Sequence, residues 1–504
     1  MNKTASRRMN NKEKRNGKSK EKRSNGIVDV AMMVKIGKYF SNVKDYINAM
    51  KTCKKYKDFV QCYDFNPIEN VDLFSNMKIQ EYYNSYDYYG FNGFITHEKI
   101  PNLPLMKFYR LWFEINYDHY VNLPKNTIPM KGVLLSKDNI EDNENIVIPD
   151  SITRIGNYCF AKSKIQFITL PNKLESIGDY AFTFSKIVKI SIPEGIKVIP
   201  NGCFEYCTKL KEVYLSNSLI EIGEKSFKSC DSLEFIQLPI GLTRLGDMAF
   251  YNCRSIEAIS IPNSIKYLGK SCFSYCLKLH KIELPSNLES IPYGCFSSTC
   301  IDELIIPESV TSIGENCFSD CTMITVTLPS QLEYLSDKLF EDSTIKDIVI
   351  PDTVTRIGNS CFLNCIIENG FELPRCLLEM GSHAFAYRKR KLTGKTQKLI
   401  IPAGLSIIQN SCFYYRNITE LVIPKSIKII GKEAFTGCPL TKVNLPDSIL
   451  EMGWSCFAFC KSLKICTVPS SIIDLIISNN IFRESPLSKF STRKLKNNKS
   501  ELFI

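Results

Sequence analysis

The side chains best suited to chemistry in this 504-residue chain are its 21 cysteines. Sixteen of them occupy two positions of a recurring pattern, one residue before and three residues after a phenylalanine. This spacing creates Cys-x-x-x-Cys pairs, which are candidate zinc ligands or disulfide partners. The pairs are Cys203/Cys207, Cys272/Cys276, Cys317/Cys321, Cys361/Cys365 and Cys456/Cys460.

Two observations favour packed free thiols over metal ligands at these positions. The same positions hold Ala, Ser or Thr in other copies of the pattern, which indicates tight buried sites for small side chains. The chain also has only four histidines, so a long series of identical zinc sites would lack the usual second ligand type. Zinc stays the alternative, and no metal or other cofactor is expected.

The phenylalanines beside these cysteines return every 22 or 23 residues. One interval, from Phe385 to Phe413, is 28 residues long and includes a basic stretch around Arg388 and Lys395. The fourteen members of the series are Phe160, Phe182, Phe204, Phe227, Phe250, Phe273, Phe296, Phe318, Phe340, Phe362, Phe385, Phe413, Phe435 and Phe457.

The unit from Pro262 to Leu284 shows the pattern of one repeat. Its last residues follow Leu-x-x-Ile-x-Leu-Pro and alternate with period two, which predicts a short strand that ends at the next proline. In ten of the fourteen units a glycine stands seven residues after the proline, as at Gly269, and predicts a turn with positive φ. The residues expected to point inward are Ile265, Leu268, Cys272, Phe273, Cys276, Leu279, Ile282 and Leu284.

One such unit cannot fold alone. Eight buried side chains contribute about 1.5–3 kcal/mol each. That gain does not clearly exceed an ordering cost of roughly 1.5 kcal/mol for each residue fixed. Stacked neighbours must supply the remaining burial and the strand hydrogen bonds, so the pattern predicts a solenoid.

The repeat resembles the BspA-like class of leucine-rich repeat, Leu-x-x-Ile-x-Ile-Pro-x-x-Val-x-x-Ile-Gly-x-x-Ala-Phe-x-x-Cys. Residues 301–321, IDELIIPESVTSIGENCFSDC, follow that motif almost throughout, and the likeness covers residues 146–469. The resemblance implies a mainly β solenoid of about fourteen repeats, built from short parallel strands and turns. Proline stands where other leucine-rich repeats carry an asparagine ladder, so no such ladder is expected. The repeat domain is predicted over residues 146–482.

Charge is concentrated at the two ends of the chain. The formal net charge is +12; residues 1–26 hold ten Lys or Arg against two Glu, and residues 483–504 hold six against two. The tails therefore carry +8 and +4, the body between them is neutral, and the repeats are not expected to bind nucleic acid. The first tail is predicted to be disordered, either a nuclear-localisation patch or a solvating tail, and the second is a basic C-terminal tail.

The chain shows neither an apolar signal-peptide core nor an apolar run of about 20 residues that could span a bilayer. With so many free thiols, a cytoplasmic location, or a nuclear one through the basic tail, is expected.

Between the first tail and the repeats, residues 27–65 predict short amphipathic helices, and the aromatic-rich residues 66–145 predict a linker or degenerate repeats. The run IGKYFSNVKDYINAMKTCKKYKDF resembles the F-box, although it lacks the opening Leu-Pro and the final Trp. That likeness implies docking to the linker subunit of a cullin-type ubiquitin ligase; a helical cap on the first repeat is the alternative. The residues that would dock are Ile36, Phe40, Asp45, Cys53 and Tyr56.

No catalytic motif is visible, so the sequence predicts a non-enzymatic scaffold that binds a protein partner. An F-box-like adaptor and a cell-surface adhesion protein are the alternatives. Strand alternation turns the residues two and four places before each proline outward, which makes them the candidate binding face. The residues selected are Phe167, Lys189, Glu212, Tyr214, Phe235, Lys281, Glu283, Glu303 and Ile305.

Overall fold

The computed structural model describes residues 79–82, 108–116, 130–137, 144–388, 394–489 and 501–503. The first 26 residues and the predicted helical segment at 27–65 lie outside this set. The chain divides into two compact units, one of residues 1–114 with 124–131 and one of residues 115–123 with 132–504. In the first unit, strand Ile79–Tyr82 pairs in parallel with strand Phe108–Asn116.

The second unit is a solenoid of parallel strands with about fifteen turns, which confirms the predicted fold. Each turn contributes a first strand, which precedes the proline, and a second strand, which follows it. The first strands are Asn145–Val147, Phe167–Thr169, Lys189–Ser191, Glu212–Tyr214, Phe235–Ile236, Ala258–Ser260, Lys281–Glu283, Glu303–Ile305, Thr322–Thr327, Thr344–Val349, Ile366–Ile367, Gln397–Ile400, Ile418–Val422, Lys442–Asn444 and Ile465–Thr467.

The second strands pair with one another in separate short ladders, and Tyr267 joins them through an isolated bridge to Arg244. They are Met130–Leu135, Arg154–Ile155, Ser176–Ile177, Val198–Ile199, Glu221–Ile222, Arg244–Leu245, Ser290–Ile291, Ser312–Ile313, Tyr334–Leu335, Arg356–Ile357, Glu379–Met380, Ile407–Ile408, Ile429–Ile430 and Glu451–Met452. After the last turn come the 3-10 helix Ser470–Ile472, the α-helix Ile473–Ser478 and the 3-10 helix Pro486–Lys489. Strand Glu501–Phe503 then pairs antiparallel with Ile465–Thr467.

A column of stacked phenylalanine rings forms the centre of the solenoid. All fourteen predicted rings are buried, and successive rings from Phe160 to Phe457 lie with centroids 4.8–5.8 Å apart. Near-parallel rings at this separation pack on both faces. Seven of the eight inward residues predicted for the central unit are buried, and Leu284 is half-buried.

The predicted positive φ at the repeat glycine is wrong. Positive φ occurs instead two residues before and two residues after the phenylalanine, as at Tyr180 (56°) and Phe184 (57°) around Phe182. Side chains rarely adopt this conformation, and for bulky ones it is an outlier. Two such residues reverse the chain around the buried ring in every turn but that of Phe385, where only His383 has positive φ.

The repeat glycine is needed because a neighbouring backbone lies against it. A Cβ on Gly358 would come within 2.6 Å of the Asp337 nitrogen, and one on Gly269 within 2.2 Å of the Gly246 carbonyl carbon. The Gly358 amide in turn donates to the Leu335 carbonyl of the preceding turn at 2.8 Å.

In the described turns, second strands pair with the preceding turn where this glycine is present and do not pair where it is replaced. All ten glycine turns keep backbone pairing with the turn before them. The four turns without pairing carry Pro200, Pro292, Ser336 and Gln409 at that position. A side chain there, or a proline without an amide hydrogen, prevents the close approach that the ladder requires.

A side-chain ladder that the sequence interpretation missed lies one residue after the glycine position, away from the proline position for which no asparagine ladder was expected. The Asn157 side-chain oxygen accepts the Asp179 amide at 2.9 Å, and the Asp179 carboxylate accepts the Asn201 amide at 3.1 Å. Equivalent bonds recur at Asp247, Asp337 and Asn410. Asp and Asn share this position, so an asparagine-only motif does not find it.

We expect Phe273→Ala to lower the free energy of unfolding by roughly 3–5 kcal/mol, because the rings on either side lose packing. Phe167→Ala is the matched control, because that ring is half exposed. Urea denaturation of both variants measures the difference. Equal, small shifts in the midpoint would contradict the central role of the column.

Gly358→Ala should destabilise the solenoid by about 1–3 kcal/mol, because the new methyl group cannot fit without moving the preceding turn. Gly241→Ala is the control, because a Cβ there would meet nothing nearer than the Asn217 carbonyl oxygen at 3.6 Å. A melt in which both variants behave alike would argue against the close-approach explanation.

Candidate interaction surface

The repeated cysteines are buried and form no bridge. Every cysteine in the described part of the chain is free, and those residues contain no group of three His, Cys, Asp or Glu placed to hold a metal ion. Burial raises the pKa of Cys207 and of Cys276 to about 12, so both stay protonated at neutral pH. Such thiols are weak nucleophiles and weak ligands.

The position three residues after the phenylalanine has a polar role that the sequence interpretation missed. The Cys207 thiol donates to the Phe182 carbonyl of the preceding turn at 3.0 Å, and the Cys276 thiol donates to Phe250 at 3.2 Å. The Ser343 hydroxyl makes the same bond to Phe318 at 2.7 Å. All fourteen residues at this position are Cys, Ser, Thr or Arg, each of them a donor, whereas alanine occurs only before the phenylalanine.

The first strands place the predicted interface residues on the solvent side of their sheet. Burial alternates along these strands, with the central residue buried and its two neighbours exposed. Side chains two and four residues before the proline therefore face water, as predicted. The exposed fractions of the large apolar ones are 50% for Phe167, 52% for Tyr214, 65% for Phe235 and 60% for Ile305.

Strand register brings part of the predicted set together. Phe167, Lys189, Glu212 and Phe235 lie in one row across four adjacent strands. Lys281 and Glu283 lie on a strand that pairs with Ala258–Ser260, whereas Glu303 and Ile305 start a separate sheet. The set is thus one contiguous patch followed by two smaller ones.

A charged cluster is already ordered within the row. The Lys189 Nζ lies 2.8 Å from a Glu212 carboxylate oxygen, and the Tyr214 hydroxyl donates to the same carboxylate at 2.8 Å. Hydrogen bonding to Glu212 raises the pKa of Lys189, and the bond to Lys189 lowers the pKa of Glu212. Lys189 also lies 4.8 Å from the centre of the Tyr214 ring, so a partner would meet fixed side chains.

Beside this cluster lies an open groove of about 420 Å³ with largely apolar walls. It forms where first-strand pairing stops between Phe235–Ile236 and Ala258–Ser260. The side chain of Ile240, 86% exposed, forms one wall together with Phe235, and Lys281 and Glu283 lie at the far rim.

Ile240 was not selected from the sequence, although a signal was present. The residue that follows the repeat proline, or Ser216 in its place, is polar in every other unit except at Ala403. An isoleucine at this exposed turn position is therefore unusual within the chain itself.

Sequence reasoning also missed a second exposed set two residues before the proline. Val147, Val349, Ile400 and Val422 are 76%, 79%, 59% and 44% exposed. Thr325, Thr327 and Val349 line a shallower groove of about 360 Å³ in the later turns. The F-box-like residues Ile36, Phe40, Asp45, Cys53 and Tyr56 lie outside the described residues. Within the part that is described, no helix is long and apolar enough to cross a membrane.

We expect a thiol reagent at pH 8 to modify far fewer than 21 cysteines in the native protein and all 21 after denaturation. Burial and the raised pKa values both suppress thiolate formation. Cys376→Ser should lower the native count, because that side chain is exposed, whereas Cys276→Ser should lower only the denatured count. A shortfall of thiols in denaturant without reductant, or bound zinc in stoichiometric amount, would overturn the assignment.

Comparison with solved structures finds similar solenoids. A leucine-rich repeat protein from Bacteroides ovatus ATCC 8483 is 29% identical, with a TM-score of 0.50, over 65% of this chain and 81% of that one. A leucine-rich cell surface protein from Faecalibacterium prausnitzii A2-165 is 21% identical, with a TM-score of 0.41, over 71% of this chain and 91% of its own. No curated protein matches the chain.

The family comparison covers the same region as the solenoid. The model described as "BspA type Leucine rich repeat region" matches residues 138–257, 211–325, 289–394 and 391–503, together most of the chain. These matches contain all fourteen phenylalanines of the stacked column. The chain belongs to the BspA-type leucine-rich repeat family.

Proposed function

We propose that the protein is a non-enzymatic scaffold that binds a protein partner through the exposed face of its first-strand sheet, between Phe167 and Glu283. The observation that carries the proposal is the exposed patch of Phe167, Tyr214 and Phe235 with the Lys189–Glu212 ion pair, next to the groove of Phe235 and Ile240. Repeat proteins of this kind use such continuous faces for binding.

The composition of the patch supports a protein ligand. Aromatic anchors surrounded by charged groups concentrate binding energy at interfaces, because their burial removes large apolar areas from water. Tyr214 and Phe235 supply the anchors, and the ion pair of Lys189 with Glu212 supplies an ordered charged border. The groove would take an apolar side chain of the partner.

The free, buried thiols also support action in a reducing compartment, the cytosol or the nucleus. Disulfides at these positions would have to displace the phenylalanine stack and the thiol–carbonyl bonds.

The test is a combined Phe167→Ser, Tyr214→Ser and Phe235→Ser variant. Proximity labelling in cells identifies candidate partners of the wild-type protein, and each is then purified and its Kd measured against both forms. We expect the variant to weaken binding at least tenfold, since each lost anchor typically costs about 1 kcal/mol or more, with a nearly unchanged Tm because all three side chains are half exposed or more.

A second triple variant controls for general loss of surface hydrophobicity. Tyr267→Ser, Tyr293→Ser and Leu450→Ser removes comparably exposed side chains outside the first-strand face. This control variant should bind each purified partner with the same Kd as the wild type. Equal affinity of the wild type and the first variant would place the binding site elsewhere.

An adaptor role in a cullin-type ubiquitin ligase is a second proposal, which depends on the F-box-like run at residues 36–59. Phe40→Ala with Tyr56→Ala should then abolish binding of a purified cullin linker subunit while leaving the sheet-face partner bound. If the intact protein binds no linker subunit, the adaptor proposal fails and the scaffold proposal stands.

A further inference from the structure

The junctions between turns are not equally connected. From Phe160 to Phe457, every junction in the described residues keeps strand pairing in the first-strand sheet, the second-strand ladder or both, with one exception. At the exception, between the turns of Phe385 and Phe413, both are interrupted. Neither Ile366–Ile367 with Gln397–Ile400 nor Glu379–Met380 with Ile407–Ile408 forms a ladder.

The sequence at this junction explains the double interruption. Gln409 stands at the glycine position, so the second strands cannot approach closely. The first strand of the Phe385 turn is diverted at Gly370, which has φ of 85°, and the extra Phe371 ring stacks on Phe385 at 4.3 Å. The Phe371 amide then donates to the side-chain oxygen of Gln397 at 3.2 Å.

The turn-bearing side of the same junction is intact. Three amides donate across it: His383 to Asn410 at 2.9 Å, Phe385 to Cys412 at 2.8 Å and Tyr387 to Tyr414 at 2.7 Å. The Phe385 and Phe413 rings remain stacked at 5.7 Å. One side of the junction is therefore hydrogen-bonded backbone. The sheet sides have no ladder, and the Lys395 amide, which donates to the Glu368 carbonyl at 3.1 Å, makes a backbone bond there.

Side chains rather than ladders span the open part. Besides the Gln397 contact, the Cys412 thiol donates to the Gly381 carbonyl at 3.3 Å. Arg416 takes the place of the cysteine that follows the phenylalanine, and it is only 6% exposed. Its guanidinium donates to the carbonyls of Phe362 at 2.9 Å and Cys365 at 2.8 Å, and to that of Phe385. It thus links three successive turns, whereas the usual cysteine links two.

Arg416 is also a charged group held without a carboxylate among these acceptors. Burial lowers the pKa of its guanidinium to about 10, so the group stays protonated at neutral pH. Carbonyl dipoles offset the charge only while the turns stay together. Opening the junction would let water hydrate the cation, and this hydration offsets part of the cost of breaking its hydrogen bonds. A neutral packed thiol gains much less from exposure to water.

We propose that the junction between the Phe385 and Phe413 turns is a hinge of the solenoid, with the turn backbone as its pivot and Arg416 as the latch that holds it closed. The hinge divides the first-strand face into a block at residues 145–367 and a block at 397–467. Opening would change the orientation of the two blocks without unfolding either. The proposal does not depend on which partner binds.

Hydrogen exchange of the full-length protein, resolved by residue, tests the hinge. Opening about the turn backbone exposes the sheet side, so the probes are the Phe371 and Lys395 amides, which donate across the junction there. They should exchange at least about tenfold faster than the Thr344 and Thr355 amides, which donate across a junction with both ladders. Equal protection of the two sets overturns the proposal.

Two variants separate the latch from general stability. Arg416→Met should speed exchange at Phe371 and Lys395 by a further tenfold or so and leave Thr344 and Thr355 unchanged. Cys438→Ala, which removes the equivalent donor to Phe413 one turn later, should not affect the junction. If Arg416→Met speeds all four amides equally, or none, Arg416 is not a latch.

Gln409→Gly tests the hinge independently of Arg416. With glycine restored, the second strands should pair across the junction. Exchange at Phe371 and Lys395 should then slow toward that at Thr344 and Thr355. Unchanged exchange in this variant would show that the missing glycine does not set the flexibility.

Discussion

The stacking of each turn on the next is the constraint on which the rest of the structure depends. No turn can bury its own apolar residues, so each phenylalanine ring is covered by the rings before and after it. Buried backbone carbonyls beside these rings need donors, and the thiols and hydroxyls three residues later supply them. The ring column and its donors together fix the distance between successive turns, and therefore the distance between the surface side chains of those turns.

The fixed distance between turns restricts the residue type at inward positions of the repeat and leaves the outward positions free to differ from one repeat to the next. Inward residues of the first strands are Ile, Leu or Val almost throughout, because each fills the same volume between neighbouring turns. Outward residues carry no such restriction, and there the chain places Phe167, Tyr214 and Phe235. The rigidity of the core holds these side chains at a fixed separation, which favours binding because little order has to be gained when a partner docks.

Departures from the repeat have local and physically distinct consequences. Proline, serine or glutamine at the glycine position interrupts only the second-strand ladder, because a neighbouring backbone lies within Cβ distance of that position. The interruption beside Phe235 opens a groove in the first-strand sheet. At the turn of Phe413 both ladders are lost, and a buried arginine spans the junction.

The sequence alone determined the fold class, the inward set and the outward face, because strand alternation and a period of 22 or 23 residues leave one way to bury the apolar positions. It did not determine why Gly269 is glycine or why Cys276 is cysteine. Both answers lie in the backbone of the adjacent turn, 23 residues away in sequence for Gly269 and 26 for Cys276. The groove at Ile240 and the three-turn span of Arg416 likewise depend on which strands fail to pair, and only the tertiary structure decides that.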